Sequence, residues 1–202
     1  MRHVATLRAR CRRVGADAGF TLVELIISLA ILLTVITSLT GALISATNTE
    51  ADVNNRVQTQ AQARLALAKL TREIHCADQI LDTGGAALTA TQVSGITVTL
   101  PAGCPTGGAA AITVRWCAIP SGGTFDLYRY AGAACGSSGG VRWASSLVTS
   151  TPFSLPTPGT AGNHYPLVHV DLSVNTRTGT SRSTYELVSD IAALNSVRSA
   201  TG

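Results

Sequence analysis

GADAGFTLVELIISLAILLTVITSL (residues 15–39) decides the fold. Beyond Gly19 the run is apolar almost throughout, yet it carries one acid, Glu24, five residues after that glycine, and five arginines stand ahead of the run. Placing a carboxylate in the hydrocarbon of a bilayer costs roughly 2.5–3.5 kcal/mol on insertion scales. An ordinary membrane anchor has no use for such a group. Glu24 therefore points to a function and requires a partner.

Working outward, residues 25–49 contain no charge, and about 20 apolar residues suffice to span a bilayer core. A secretory signal peptide has a shorter apolar region, about 7–15 residues, followed by a small-residue cleavage site. Ser45-Ala46-Thr47 imitates such a site, but the run before it is too long and holds an acid. Upstream, Arg2, Arg8, Arg10, Arg12 and Arg13 stand against Asp17 alone, so residues 1–19 account for the whole net charge of +4. The remainder balances ten basic against ten acidic residues. This asymmetry is a positive-inside signal, which predicts an N-terminus in the cytoplasm and residues beyond 46 outside. A neutral body argues against a nucleic-acid-binding domain, which needs a basic face on its folded part.

Downstream of the membrane segment, residues 50–81 hold no glycine or proline. Val53, Val57, Ala61 and Leu65 recur every four residues, followed by Leu67, Leu70, Ile74, Ala77 and Leu81, with Lys69, Arg72 and Glu73 among the polar residues between them. That pattern predicts an amphipathic helix stopped by Gly84-Gly85. The whole predicted helix runs from Phe20 to about Asp82, roughly 90 Å at 1.5 Å per residue, with Gly41 softening its middle.

After residue 84 the texture changes to short runs of period two. They are QVSGITVTL (92–100), AITVRWCAI (111–119), TFDLYRYA (124–131), GVRWASSLV (140–148), YPLVHVDLSV (165–174) and STYELVSDIAAL (183–194). The separators are rich in Gly, Pro and Ser, and IPSGGTFDLYRY (119–130) reads as a hairpin, so an antiparallel sheet is expected. The fold class is α+β: one long N-terminal helix, its apolar stripe over residues 53–81 laid against that sheet. Four segments follow: a basic leader (1–19), a transmembrane half-helix (20–46), an amphipathic half-helix (47–82) and a β-rich domain outside the cytoplasm (83–202).

Cys11 lies in the leader, on the reducing side, while Cys76, Cys104, Cys117 and Cys135 lie beyond the membrane segment. An even number in an exported domain reads as two disulfides, with three pairings open. Metal binding is the sharper alternative, but there is no CxxC pair, and His75 adjoins Cys76 without zinc-like spacing. Cys117 and Cys135 flank the hairpin, and a first strand returning along the helix brings Cys104 towards Cys76. Cys76–Cys104 with Cys117–Cys135 is therefore favoured over the two other pairings. No metal and no cofactor is expected.

GFTLVELIISLAILL (19–33) resembles the N-terminus of type IV prepilins and of type II secretion pseudopilins. In that family a membrane prepilin peptidase cuts after the glycine and the new N-terminal residue is N-methylated. The resemblance therefore implies cleavage between Gly19 and Phe20, methylation of Phe20, and Glu24 as the family's acid. It also implies an answer to the opening puzzle. Cleavage creates an ammonium at Phe20, and the carboxylate of Glu24 pairs with the terminal amine of a neighbouring subunit as a filament assembles, neutralising two groups that lipid leaves unpaired. ARLALAKLTREIHCADQI (63–80), LYRY (127–130) and YELVSDIAALNS (185–196) resemble the J- or W-type minor subunits, with His75 where arginine is common and Asn195 without the preceding arginine. The partners implied are the prepilin peptidase, other pilin or pseudopilin subunits, and cytoplasmic-membrane lipid before assembly.

Two other function classes compete with the structural subunit. A membrane-anchored enzyme lacks support, because His75, His164 and His169 sit in no HExxH or GxSxG context and neither GSSGG (136–140) nor GTAGN (159–163) has the setting of a phosphate loop. An adhesin or DNA-uptake pilin requires a ligand-reading patch, for which Arg115, Arg129, Arg142, Arg177 and Arg182 are the candidates.

Overall fold

A computed structural model of the chain describes residues 21–157, 165–176 and 183–195. The chain divides into two compact units, Met1–Asn48 and Thr49–Gly202. The first consists, in its described part, of the opening half of helix α1 (Leu22–Cys76). Its apolar side chains, from Leu22 to Ile44, are exposed, and the helix is long and apolar enough to cross a membrane. The hydroxyls of Ser28, Thr34, Thr37, Thr40 and Thr47 donate to backbone carbonyls three or four residues earlier, so these five are satisfied within the helix itself.

The second unit sets the end of α1 on two antiparallel sheets. β1 (Gln79–Asp82), β2 (Gly95–Leu100), β3 (Ile112–Ser121), β4 (Thr124–Ala131) and β5 (Val141–Leu147) form a meander. β8 (Val174–Asn175) and β9 (Thr184–Tyr185) extend it to seven strands in the order β1-β2-β3-β4-β5-β8-β9. β6 (Phe153–Thr157), β7 (Leu167–Asp171) and β10 (Val188–Ala192) form a second sheet in the order β10-β7-β6. The expected α+β architecture is present: a long N-terminal helix packed on antiparallel sheets, in the manner of a pilin. The β3–β4 hairpin closes between Ser121 and Thr124 through Gly122 and Gly123, both at positive φ (56° and 87°), the conformation a two-residue hairpin loop demands.

Four details differ from the sequence expectation. The helix ends at Cys76 rather than Asp82, because the next residues find better partners in β2: Asp78 N–H donates to the Thr99 carbonyl, and Gln79–Asp82 pair with Thr99–Ile96. Gly85, at φ 87°, instead shapes the turn after β1. YPLVHVDLSV and STYELVSDIAAL each split into two strands that serve different sheets, and Phe153–Thr157 adds a strand. Finally, the apolar stripe of the helix is not one stripe. Ala63, Ala66, Leu70 and Ile74 are buried with Ile96, Val98, Val114, Trp116 and Leu127, whereas Val53, Val57 and Leu65 are exposed.

β4 and β5 are out of simple register: Leu127 opposes Ala144 but Tyr128 opposes Arg142. Ser146 in this irregular stretch takes a positive φ of 61°, and its N–H donates to Asp126 Oδ1 at 3.2 Å. The same carboxylate accepts from Arg142 Nη1 at 3.3 Å. A buried acid thus ties the irregular strand to its neighbour.

Candidate functional site

The head of α1 carries a cap whose signature in the sequence is Thr-x-x-Glu, residues 21–24. Thr21 precedes the first helical residue, and its Oγ1 accepts the N–H of Glu24 at 3.3 Å. Helix starts leave their first N–H groups without partners, and a threonine three residues ahead of a glutamate is the recurring remedy. Glu24 itself is exposed in the first turn, where the positive end of the helix dipole favours a carboxylate. Its backbone carbonyl accepts from Ser28 Oγ at 2.7 Å. Gly19 and Phe20, the residues of the proposed cut and methylation, lie outside the described residues, as does Cys11.

A second constellation lies at the other end of the helix, and the sequence concealed it. Glu73 falls among polar residues by periodicity, yet it is fully buried. Its carboxylate accepts from Trp116 Nε1 at 2.7 Å and from Arg129 Nε at 2.9 Å, with Lys69 Nζ at 3.3 Å. Trp116 and Arg129 are cross-strand partners on β3 and β4, which puts both side chains on the sheet face that meets the helix. Further ties run along the same side: Arg64 Nε donates to the Tyr185 hydroxyl at 3.0 Å, Gln62 accepts from Ser145 at 3.1 Å, and Asn195 Nδ2 donates to the Cys76 carbonyl at 3.1 Å. The last of these caps the C-terminal end of the helix.

The structure joins Cys76 to Cys104 (Cα–Cα 6.1 Å) and Cys117 to Cys135 (Cα–Cα 6.0 Å). The first fastens the last residue of α1 to the β2–β3 connection; the second fastens the loop after β4 across the sheet. Of the candidate arginines that are described, Arg129 stands apart from the other two. Arg129 faces the helix and Glu73, while Arg115 and Arg142 are on the opposite sheet face, engaged with the Ala133 carbonyl and with Asp126. Alternation along a strand separates them, and Arg177 and Arg182 lie outside the described residues. Of the histidines, His75 is exposed at the helix end, His169 Nδ1 lies 2.7 Å from Asp190 Oδ1 across β7 and β10, and His164 lies outside the described residues.

Comparison with known families finds one match, the prokaryotic N-terminal methylation motif, over residues 15–40. No curated protein and no solved structure matches the chain. The chain thus joins a methylation motif, at the head of a long apolar helix, to a pilin-like fold in which that helix packs on antiparallel sheets, an arrangement consistent with type IV pilins and pseudopilins. The motif implies processing by a prepilin peptidase.

Proposed function

We propose that this chain is a structural filament subunit, a minor type IV pilin or pseudopilin. It is inserted in the cytoplasmic membrane with its N-terminus inside, cut between Gly19 and Phe20, methylated on Phe20, and then built into or used to prime a filament outside the cytoplasm. In this reading a leader (1–19) precedes a transmembrane half-helix (20–46) and an amphipathic half-helix from 47, which ends at Cys76 where the β-rich domain takes over. The observation that carries the proposal is the match of residues 15–40 to the methylation motif at the start of a helix whose apolar side chains from Leu22 to Ile44 are all exposed. Such a surface is stable only in lipid or against other helices. Glu24 supplies the charge that a neighbour's methylated amine neutralises, and the partners are the peptidase and other subunits.

Mass spectrometry of the protein recovered from membranes tests the cut: the expected N-terminus is Phe20 carrying one added methyl. An intact leader in a host with active prepilin peptidase, or an N-terminus just after Ala46, overturns the proposal. Gly19 replaced by a bulky residue blocks cleavage, since a side chain there obstructs the scissile carbonyl. Glu24→Ala separates insertion from assembly. That variant is expected to insert and to be cut, yet to be missing from sheared filaments. Its normal incorporation would reduce the acid to a passenger.

A further inference from the structure

We infer that Lys69 of α1, Arg129 of β4 and Trp143 of β5 form a binding site for a carboxylate, presented beside an apolar residue by a partner protein. The inference goes beyond the filament-subunit reading and does not rest on it.

The starting point is an orphaned donor. Trp143 Nε1 is shut off from solvent, yet among the described residues it has no hydrogen-bond partner. Buried polar groups are nearly always paired, and a donor left without an acceptor destabilises the fold. The strand register says where this donor stands. Ser145 of β5 reaches Gln62 of α1 at 3.1 Å. Val141 of β5 is the cross-strand partner of Arg129, which reaches Glu73 of α1 at 2.9 Å. Trp143 lies midway between Ser145 and Val141 on the strand, so it stands beside the turns of α1 that carry Lys69. Its ring also packs on Trp116, with centroids 5.9 Å apart, and Trp116 Nε1 donates to Glu73 Oε2.

The charges gathered there do not balance. Lys69 Nζ and Arg129 Nε both approach the same oxygen, Glu73 Oε1, and Oε2 is taken by Trp116. Two cations against one acid leave a positive charge over, and exposed Arg72, on the next turn of α1, adds to it. Asp126 of β4 does not offset it, being engaged with Arg142 on the opposite face of the sheet. Lys69 and Arg129 keep further N–H donors after serving Glu73, and their side chains are 23% and 15% exposed. An anion with two acceptor oxygens fits this set, one oxygen for the cations and one for the indole N–H, in charge-assisted hydrogen bonds. A carboxylate has that form and a single charge, whereas phosphate brings more negative charge than the group leaves over. Val141 and Leu65, both exposed, flank the site on β5 and one turn before Lys69 on α1. An acidic side chain with an apolar neighbour covers both kinds of surface, and a protein partner carries that pair.

The chain holds two tryptophans, Trp116 and Trp143, so isotope-labelled full-length protein in detergent micelles gives two indole N–H resonances that both report on this site. The probe is the capped dipeptide N-acetyl-glutamyl-leucinamide, with its glutaminyl counterpart as control. The glutamyl peptide is expected to move the Trp143 resonance saturably while the Trp116 resonance, held by Glu73, stays in place. The glutaminyl peptide is expected to bind at least about tenfold more weakly. Affinity in variants is read from the signals of the peptide. Trp143→Phe keeps the ring and removes the donor, so it is expected to weaken binding about tenfold with no fall in the urea midpoint. Lys69→Gln is expected to weaken binding to a similar degree; should it disturb the Trp116 resonance, Trp143→Phe alone decides. A Trp143 resonance that does not move, a glutaminyl peptide that binds equally well, or tighter binding of inorganic phosphate overturns the inference. So does a W143F chain that binds like the wild type, or one that unfolds at clearly lower urea, which would reveal a partner for the indole inside the fold.

Discussion

Glu73 brings a carboxylate to a position without solvent, and the surrounding residues make this tolerable. Desolvating an ion costs several kcal/mol, and only close, well-aimed donors offset it. Trp116, Arg129 and Lys69 supply three, and the two cations stay partly exposed (15% and 23% for their side chains), so they keep some water while the acid keeps none. Glu73→Ala is therefore expected to destabilise the second unit by about 3–5 kcal/mol, the range for breaking a buried pair from one side. Glu73→Gln, which still accepts from Trp116, costs less, and urea denaturation of the two variants separates them. A smaller test of the same packing is Gly95→Ala. A Cβ there lies 2.6 Å from the Trp116 carbonyl oxygen and 2.8 Å from Thr83 Cγ2, so β2 and β3 must separate. A loss of about 1–3 kcal/mol is expected. None of this was legible from the chain. Lys69, Arg72 and Glu73 look alike as polar residues on a helix, and only the β3–β4 register reveals which of them meets an indole and a guanidinium.

At the scale of the element, α1 illustrates what periodicity can and cannot say. That a helix begins at the methylation signature and continues far past the membrane segment follows from hydropathy and from the absence of glycine and proline. Which side faces the sheet does not follow. Steps of four residues advance 400°, so a strip read from Val53 through Leu65 swings by about 120° and ends facing away from the core. The steps of three and four from Ala63 to Ile74 hold their direction. Two leucines five positions apart give the contrast. Leu70, fully buried, is expected to cost about 2–5 kcal/mol when cut to alanine, while Leu65, 63% exposed, stays within about 0.5 kcal/mol. Equal losses at both positions would contradict the bifacial helix. Strand β1 was hidden because QILD continues a helical pattern and only pairing with β2 overrides it. Strand β6 was hidden by Pro152 and Pro156, which frame its short apolar run and read as loop.

At the scale of the whole molecule, the two disulfides bind distant parts of the second unit into one cooperative body. Cys76–Cys104 spans 28 positions and holds the end of α1 where Asn195 caps it and Ile74 enters the core; Cys117–Cys135 spans 18. In the chain-entropy account each removes about 3 kcal/mol of freedom from the unfolded chain, the longer loop about 0.4 kcal/mol more. Ordinary domains are stable by only about 5–15 kcal/mol, so losing both bridges takes away a large part of the total. Each Cys→Ser pair is therefore expected to lower the unfolding free energy by about 2–4 kcal/mol in urea titrations, and the four-serine variant to populate the unfolded state without denaturant. Non-reducing peptide mapping fixes the pairing before any titration is interpreted. Crossed pairs would refute the assignment of partners while leaving the loop argument intact. An unfolding midpoint that reductant leaves unmoved, in protein whose bridges are shown to be broken, would mean that the two sheets and the helix end hold together by packing alone.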